Sequence, residues 1–177
     1  MLRQVAFAAT LTIGAILSTT ARAQDFSSTT IDIGVCVTDP DKSAKFYTEV
    51  IGMKEVPGFE VPADFAGEIG LTANKGLKVR VFTLGEGEKA AKLKLGYIAG
   101  STPKKSDNEF IHSQTGVRYI TLMVADQTPV IERIKKAGVK TVGKTPAEIP
   151  GSIAKGMWIT IVRDPDGNLI ELVGPKK

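Results

Sequence analysis

The alternation of apolar and polar residues repeats along the chain and divides it into two similar halves. Residues 32–39 and 119–126 have the same length, alternate apolar and polar positions, and end in an aspartate. An alternation with a period of two predicts strands. Each predicted strand is followed by apolar positions at helical spacing that stop at Gly52 or Gly138, a common residue after a helix. The self-similarity indicates a duplicated structural unit.

Three further strand patterns follow each predicted helix. They cover residues 53–56, 78–84 and 92–98 in the first half and residues 139–142, 157–163 and 168–173 in the second half. An Asp-Gly pair within residues 164–168 supplies the positive φ angles that the last hairpin turn requires. Thr128 is predicted to cap the second helix, with Pro129 starting it. The predicted fold class is therefore α+β, with two βαβββ modules.

The spacing of these elements predicts the domain organisation. The modules cover about residues 30–98 and 116–175, and the polar segment of about 99–115 is predicted to be a linker. Residues 57–76 form a long excursion, with a short helix expected around residues 64–69. Because the remaining chain has room for one core, a single domain is expected.

The two faces of the predicted strands differ in composition. One face is aliphatic and is expected to pack under the helices: Ile33, Val35, Val37, Leu93, Leu95, Ile120, Leu122, Val124, Ile159, Ile161, Ile170 and Leu172. The opposite face is mixed: Asp32, Gly34, Cys36, Lys94, Gly96, Tyr119, Thr121, Met123, Trp158, Thr160, Leu169, Glu171 and Val173. Because the helices cover only one face, the mixed face is predicted to line a cavity. Arg80 lies on a strand of ambiguous parity and is a further candidate to clamp an anion there.

The N-terminal segment has the pattern of a secretory signal peptide. Arg3 precedes an uncharged apolar stretch over residues 5–17, and residues 21–23 read Ala-Arg-Ala. This apolar stretch is too short to span a bilayer and ends at a typical cleavage motif. We therefore expect residues 1–23 to be removed, leaving a single domain over 24–177 that is periplasmic or secreted and has no membrane span.

Charge and cysteine content narrow the function classes. The formal charge is +4, and removal of Arg3 and Arg22 with the signal peptide leaves +2. The lysines are scattered along the chain, which argues against a nucleic-acid partner. The single cysteine, Cys36, excludes an internal disulfide. Without a histidine predicted nearby, Cys36 is interpreted as a small apolar filler rather than a nucleophile.

Two segments carry a family resemblance. Residues 32–47 with 51–53, and Asp-Pro-Asp-Gly-Asn-Leu-Ile-Glu-Leu-Val at 164–173, resemble the opening and closing signatures of the vicinal oxygen chelate superfamily of glyoxalases, bleomycin resistance proteins and extradiol dioxygenases. The resemblance covers nearly the whole mature chain. It implies a cup-shaped mixed sheet with the helices outside and a divalent metal in the cup. It also implies homodimers that complete or swap cups, although one chain with two modules can form its own cup.

The metal positions that the resemblance implies fall on Asp32, Lys94, Tyr119 and Glu171. Only Glu171 is of the residue type that the family usually has there. A protonated lysine has no lone pair and a neutral phenol is a poor ligand, and two carboxylates alone make a weak site. No metal cofactor is therefore predicted, while a divalent metal held by Asp32, Glu171 and solvent stays open. The only histidine, His112, is expected on the surface of the linker.

Two functional hypotheses follow from the resemblance and the substituted positions. In the first, a degenerate metal site binds a small ligand without metal, and Lys94, held by Asp32 and Glu171, receives an anionic or carbonyl oxygen. The walls of this site are apolar and aromatic: Tyr119, Met123 and Trp158. A structural ion pair that fills the cup is the competing interpretation of the same charges. In the second hypothesis the protein is a metal-dependent glyoxalase-like lyase or isomerase, or a dioxygenase, with Glu171 as base or ligand. A pure interaction protein is a third class.

Overall fold

The structure, a computed structural model, describes residues 27–87 and 89–177. The predicted signal peptide and its cleavage site lie outside these residues. Within the described ranges, no helix has both the length and the apolar character needed to cross a bilayer.

The first module follows the predicted order of elements. It contains β1 (Ile33–Cys36), α1 (Pro40–Lys45), a π-helical segment (Phe46–Ile51), β2 (Lys54–Val61), α2 (Ala63–Glu68), β3 (Leu77–Leu84) and β4 (Ala91–Tyr97). Helix α1 begins after Asp39, whose carboxylate accepts the N–H groups of Asp41 and Lys42. Strand β1 is parallel to β4, and the sheet has the order β1-β4-β3-β2.

The helical stretch predicted after Asp39 is confirmed in extent, but its second half is wider than an α-helix. The N–H groups of Gly52 and Met53 both donate to the carbonyl oxygen of Tyr47, which lies five and six residues earlier. Gly52 has φ of 91°, a left-handed conformation that glycine adopts without steric cost. The segment therefore ends at Gly52, and its buried side chains, including Tyr47, pack against the sheet.

Strand β2 is longer than the sequence pattern indicates, because its register against β3 shifts between Val56 and Phe59 and the pairing then continues. Gly58 lies within this shift, and a Cβ atom there would be 2.1 Å from the Val79 carbonyl oxygen. Only glycine permits such a close approach of two backbones. The start of the predicted excursion 57–76 is thus part of a strand, and its expected short helix is α2.

The second module repeats the plan of the first. It contains β5 (Tyr119–Met123), α3 (Gln127–Lys136), β6 (Ala147–Glu148), α4 (Gly151–Ala154), β7 (Trp158–Arg163) and β8 (Leu169–Gly174). Its sheet has the order β5-β8-β7-β6 with β5 parallel to β8. Helix α3 is capped by Asp126, which accepts the N–H of Thr128, so the predicted cap at Thr128 is displaced by two residues. The α+β architecture of two βαβββ modules is confirmed.

The second strand of this module is not where the sequence pattern placed it. Residues 139–142 make only one isolated bridge to β7, between Thr141 and Val162, and β6 pairs further along the chain. The hydroxyl of Thr145 accepts the N–H of Ile161 at 3.2 Å. Because a side chain takes this donor, the backbone ladder is interrupted between Thr141 and β6.

One hydrophobic core joins both modules. The predicted aliphatic face is confirmed on four strands and their ends, where these residues belong to the core or pack against it: Ile33, Val35, Val37, Leu93, Leu95, Ile120, Leu122, Val124, Ile170 and Leu172. Residues of the helices of both modules also belong to this core, among them Tyr47, Val130 and Ile134. Because the core is shared, the burial of each helix depends on both sheets.

The prediction for strand β7 is wrong. Thr160 and Val162 are completely buried and pair in register with Leu172 and Ile170 of the core, whereas Ile159 and Ile161 lie on the opposite face. The Thr160 hydroxyl donates to Oε1 of the buried Gln127 of α3 at 2.8 Å. This hydrogen bond offsets the cost of burying both polar groups. A pattern based on hydrophobicity alone assigns such a strand the wrong parity.

Polar contacts also tie the modules together. The Tyr47 hydroxyl donates to Oδ2 of the buried Asp164 at 2.9 Å. The Arg133 guanidinium donates to the carbonyl oxygens of Val50 and Ile51, each at 3.1 Å, which lie at the end of the π-helical segment. These bonds hold the helix of one module against the helix and the last turn of the other.

Candidate functional site

A groove of about 520 Å³ lies along β1 and β5, which are edge strands of the two sheets. Strand β1 and its flanks contribute Asp32, Gly34, Cys36 and Thr38. The opposite side consists of residues 117–120, with residues 103–106 and 108 of the linker and residues near the start of β8. The groove therefore follows the two edge strands and includes Asp32, Gly34, Cys36 and Tyr119 of the predicted mixed faces.

An ion pair stands beside this groove. Lys94 of β4 is in register with Gly34 of β1, and its Nζ lies 2.8 Å from Oδ2 of Asp32, with both side chains 35% exposed. The hydrogen bond from Lys94, with a smaller contribution from its charge, lowers the pKa of Asp32. A Cβ atom at Gly34 would meet no atom within 4 Å. The lowered pKa keeps Asp32 ionised at neutral pH, and the pair is open to the space above the sheet.

Glu171 does not join this pair. It lies on β8 and accepts a hydrogen bond from the Thr121 hydroxyl of β5 at 2.8 Å. Nowhere in residues 27–87 and 89–177 does an ion pair link Glu171 to Lys94. The predicted three-charge cluster therefore separates into a charged pair on the first module and a hydroxyl–carboxylate contact on the second.

Tyr119 and Met123 lie on the open face of the second module. Tyr119 lines the groove and is 48% exposed, and Met123 at the end of β5 is 64% exposed. Alternation along β5 places both on the same face as Thr121. The structure thus leaves two of the three predicted wall residues accessible to a ligand.

Trp158, the third predicted wall residue, is on the wrong face. It pairs in register with Gly174 and therefore shares the helical side with Thr160, whose hydroxyl contacts α3. The ammonium of Lys176 lies 4.5 Å from the centroid of the Trp158 ring. Trp158 lies on this face because Thr160, two residues further along β7, is buried under α3, which is the reverse of the predicted alternation.

Arg80 is also on the helical side of its sheet. It is in register with Leu95 of the core, and its guanidinium donates to both carboxylate oxygens of Glu55 at 2.7 and 2.8 Å and to Asp41 at 2.7 Å. The hydrogen bond from Arg80 lowers the pKa of Glu55. Arg80 therefore holds α1 to the sheet and does not clamp an anion in the groove.

The linker contributes residues that sequence reasoning did not assign to the site. Arg118 and Arg163 donate to backbone carbonyl oxygens of the linker, which fixes its path across the groove. Lys104 and Lys105 line the groove as a result. Their adjacency in sequence was the only available signal, because nothing in a polar linker predicts which strand it crosses.

Cys36 is exposed and lines the groove, so its interpretation as a buried filler is wrong. Partial burial of the sulfur, and then the charge of Asp166, raise the pKa of the thiol above its ordinary value. A protonated thiol is a weak nucleophile. His112 is exposed in the linker, as expected, and stacks on Phe110 with 5.6 Å between ring centroids.

The residues at the implied metal positions do not fit a divalent cation. Within the described ranges, no group of three or more histidine, cysteine, aspartate or glutamate side chains is placed to hold a metal. The ammonium of Lys94 occupies the neighbourhood of Asp32, where it repels a dication and competes for the carboxylate. Tyr119 and Glu171 alone leave too few anionic donors for a strong site.

Comparison with known families identifies the fold. A model of the Glyoxalase/Bleomycin resistance protein/Dioxygenase superfamily matches residues 30–172. No curated protein sequence matches the chain significantly.

Solved structures give a consistent result. A glyoxalase family protein from Bacillus cereus superposes with a TM-score of 0.68 at 18% identity, covering 89% of this chain and all (100%) of that chain. The trypanothione-dependent glyoxalase I of Leishmania major superposes with a TM-score of 0.59 at 26% identity, covering 84% of this chain and 87% of that chain. A glyoxylase/bleomycin resistance protein/dioxygenase domain from Frankia has a TM-score of 0.57 at 20% identity, covering 85% and 93%.

Proposed function

The chain belongs to the glyoxalase/bleomycin resistance protein/dioxygenase superfamily, and from that premise we propose that it binds a small ligand without a metal beside its Lys94–Asp32 pair. The observation that carries the proposal is the 2.8 Å contact between the Lys94 ammonium and the Asp32 carboxylate at two positions where the family resemblance implies metal ligands. A fixed cation there can receive an anionic or carbonyl oxygen, as a metal does in relatives.

Exposure favours a ligand site over a filled cup. Both side chains of the pair are 35% exposed, and the space next to Gly34 is open. An ion pair that served only to fill the cup would be enclosed by neighbouring side chains. The exposed Tyr119, which lines the groove together with Asp32, supplies apolar contact surface on the second module, which a small ligand needs in addition to its charged anchor.

The ligand class follows from these groups. Lys94 keeps ammonium protons beyond the one that contacts Asp32, since a lysine has three donors. Asp32 orients the ammonium and disfavours a strongly anionic partner that would compete with it. A compact molecule with one carboxylate or carbonyl oxygen and an apolar body fits best.

A ligand screen with matched lysine variants tests the proposal. Small carboxylates and carbonyl compounds are screened by thermal shift, and hits are titrated by calorimetry against wild type and Lys94→Met. The loss of one charge-assisted hydrogen bond weakens binding by roughly tenfold or more. The control is Lys78→Met. Lys78 is also paired with an acid, Glu60 at 3.2 Å, but it lies on the helical face of the sheet, opposite to Lys94. Equal affinity of Lys94→Met and wild type would sink the proposal.

A metal-dependent enzyme is the second candidate. Glu171 is held by Thr121 at the last strand, the position at which the resemblance implies a ligand, and the 26%-identical Leishmania major protein is a glyoxalase I. Elemental analysis of protein exposed to Mn, Fe, Ni, Co and Zn and then dialysed separates the candidates. Near-stoichiometric retained metal, lost in Glu171→Gln, would favour a lyase, isomerase or dioxygenase over metal-free binding.

Export is part of the same proposal. The basic start, uncharged apolar stretch and Ala-Arg-Ala motif of residues 1–23 support secretion into the periplasm or medium. N-terminal sequencing of the protein recovered from those fractions is expected to begin near Gln24. Recovery only in the cytoplasm with Met1 retained contradicts it.

A further inference from the structure

A second groove, of about 750 Å³, lies on the helical side of the molecule. It is formed by α1, the π-helical segment, the end of α3 and the turn after β7. Five of the side chains that line it are cationic: Lys42, Lys45, Arg133, Lys136 and Arg163. None of these residues lines the groove beside Lys94 and Asp32. The second groove is therefore a separate surface, and of its cations only Arg163 also acts at the first groove, through its hydrogen bonds to the linker.

The two arginines of this groove are oriented but not neutralised. Arg133 donates to the carbonyl oxygens that end the π-helical segment. Arg163 donates to carbonyl oxygens of the linker and the last turn. In the part of the chain that the structure describes, neither guanidinium pairs with a carboxylate. Since a guanidinium has five donors, Arg133 retains N–H groups in a fixed plane, whereas the Arg163 guanidinium is engaged by the linker on the other face of β7.

The acidic side chains in the groove do not cancel this charge. Asp164 is 4% exposed and already accepts hydrogen bonds from Tyr47, Asp166 and Asn168. Glu49 is exposed and lies 4.0 Å from Lys45, a distance at which a surface pair is weak. The charges of Lys42, Lys45, Arg133 and Lys136 exceed those of the two engaged carboxylates, which leaves an excess of positive charge in a concave site.

Helix ends explain only part of the cluster. Cations near the C-terminus of a helix are favoured by its dipole, and this accounts for Arg133 and Lys136 in the last turn of α3. Lys42 and Lys45 lie in the last turn of α1, but the chain continues from α1 directly into the π-helical segment, so this turn is not a free helix end. No helix terminus requires them on the same side of the groove.

We infer that this groove binds a compact phosphate-bearing ligand, with an oxyanion held by Arg133 and the remaining charge balanced by the lysines at the rim. Planar guanidinium groups match phosphate oxygens in geometry. The groove lies between α1 and α3, so it can contact a small polyanion on two sides. A flat anionic surface such as a membrane cannot enter it. The concave shape therefore favours a soluble phosphorylated molecule over a lipid headgroup.

Calorimetric titration with tripolyphosphate tests the inference on the full mature chain. Wild type is expected to bind one equivalent, with an affinity that falls as salt is raised. The double variant Lys42→Glu/Lys136→Glu is expected to bind at least about tenfold more weakly. The matched control is Lys75→Glu/Lys155→Glu, which changes charge equally at two exposed lysines outside the groove and is expected to stay within about twofold of wild type.

Two outcomes overturn the inference. The first is an equal loss of affinity in both double variants, which means that net charge alone attracts the probe. The second is an absence of tripolyphosphate binding with partition of the wild type onto phosphatidylglycerol vesicles, which assigns the charge to a membrane surface. If Lys42→Glu/Lys136→Glu lowers the melting temperature, Lys42→Gln/Lys136→Gln takes its place, with Lys75→Gln/Lys155→Gln as control.

Discussion

The two modules have the same strand order and the same parallel pairing of first and last strands, yet they differ in the polar groups that each sheet face carries. In the first module, Lys94 and Asp32 form an ion pair on the open face, while Phe82 and Leu95 under the helices are fully buried and apolar. In the second module, the core itself contains a hydrogen bond between Thr160 and Gln127.

This difference shows how little the duplicated backbone constrains side-chain chemistry. Equivalent strands need only present one face that packs under a helix, and a buried polar pair meets that need if its hydrogen bonds are satisfied. The open faces are free to diverge because they are not part of the core. Lys94 and Glu171 are therefore equivalent in position but have different partners.

The largest loss of stability is expected at a feature of the first module that the second module lacks. Gly58 permits the register shift in β2 of the first module, and Gly58→Ala would bring a Cβ to 2.1 Å from the Val79 carbonyl oxygen. Backbone displacement is expected to lower the free energy of unfolding by about 3 kcal/mol. Denaturant unfolding measures it, and Gly34→Ala, with open space around its Cβ, is the control. Equal stability of the two variants would show that β2 has no fixed bulge.

The buried polar pair of the second module comes next. Gln127→Leu keeps the side-chain volume but removes the acceptor of the Thr160 hydroxyl and the donor to the carbonyl oxygens of Trp158 and Leu172. Unsatisfied buried groups are expected to lower the free energy of unfolding by about 2 kcal/mol. A double-mutant cycle with Thr160→Val isolates the pair, because removing both partners is expected to cost less than the sum. Strict additivity contradicts this account.

The contact between the modules has a smaller expected effect. Tyr47→Phe removes the hydroxyl that donates to Asp164, while Asp164 keeps its donors in its own turn. The expected loss is about 1.5 kcal/mol in the free energy of unfolding. Tyr119→Phe, at an exposed tyrosine, is expected to be neutral. A loss of stability in Tyr119→Phe but not in Tyr47→Phe would contradict this account.

The smallest change in stability is expected at the Lys94–Asp32 pair on the open face. The pKa of Asp32 is lowered in the folded protein by Lys94, so the pair stabilises the fold at neutral pH and this contribution is lost as pH falls through the folded-state pKa. Lys94→Met is expected to return that pKa toward 3.8 and to cost less than about 1 kcal/mol, because the pair is exposed. Carboxyl NMR titration measures the shift. The Asp32 pKa is expected to be unchanged in Lys78→Met.

Local patterns explain why much of the fold is readable from the sequence. Strands β1, β4 and β5 alternate aliphatic and other residues without interruption, and the core faces of these strands and of β8 are as predicted. Pattern reading fails where one residue substitutes for an expected type. Thr160 in the core reverses the parity of β7, and the Thr145 hydroxyl displaces the strand expected over residues 139–142.

The candidate site was less accessible to sequence reasoning. Asp32, Lys94, Tyr119 and Met123 lie on the open face because each belongs to a strand with clean alternation. Trp158 does not, since its strand has the opposite parity. The path of Lys104 and Lys105 depends on Arg118, which is close in sequence to the linker, and on Arg163, which binds linker carbonyl oxygens 54 and 55 residues away. Such long-range hydrogen bonds leave no periodic pattern in the sequence.

The sequence by itself determined the duplicated βαβββ plan and the family, because these depend on local periodicity and residue type. Only the tertiary structure decided that Lys94 pairs with Asp32 and not with Glu171, and that cations of α1, α3 and β7 share one groove. Distances between separate elements are set by packing of the common core, and no local pattern encodes them.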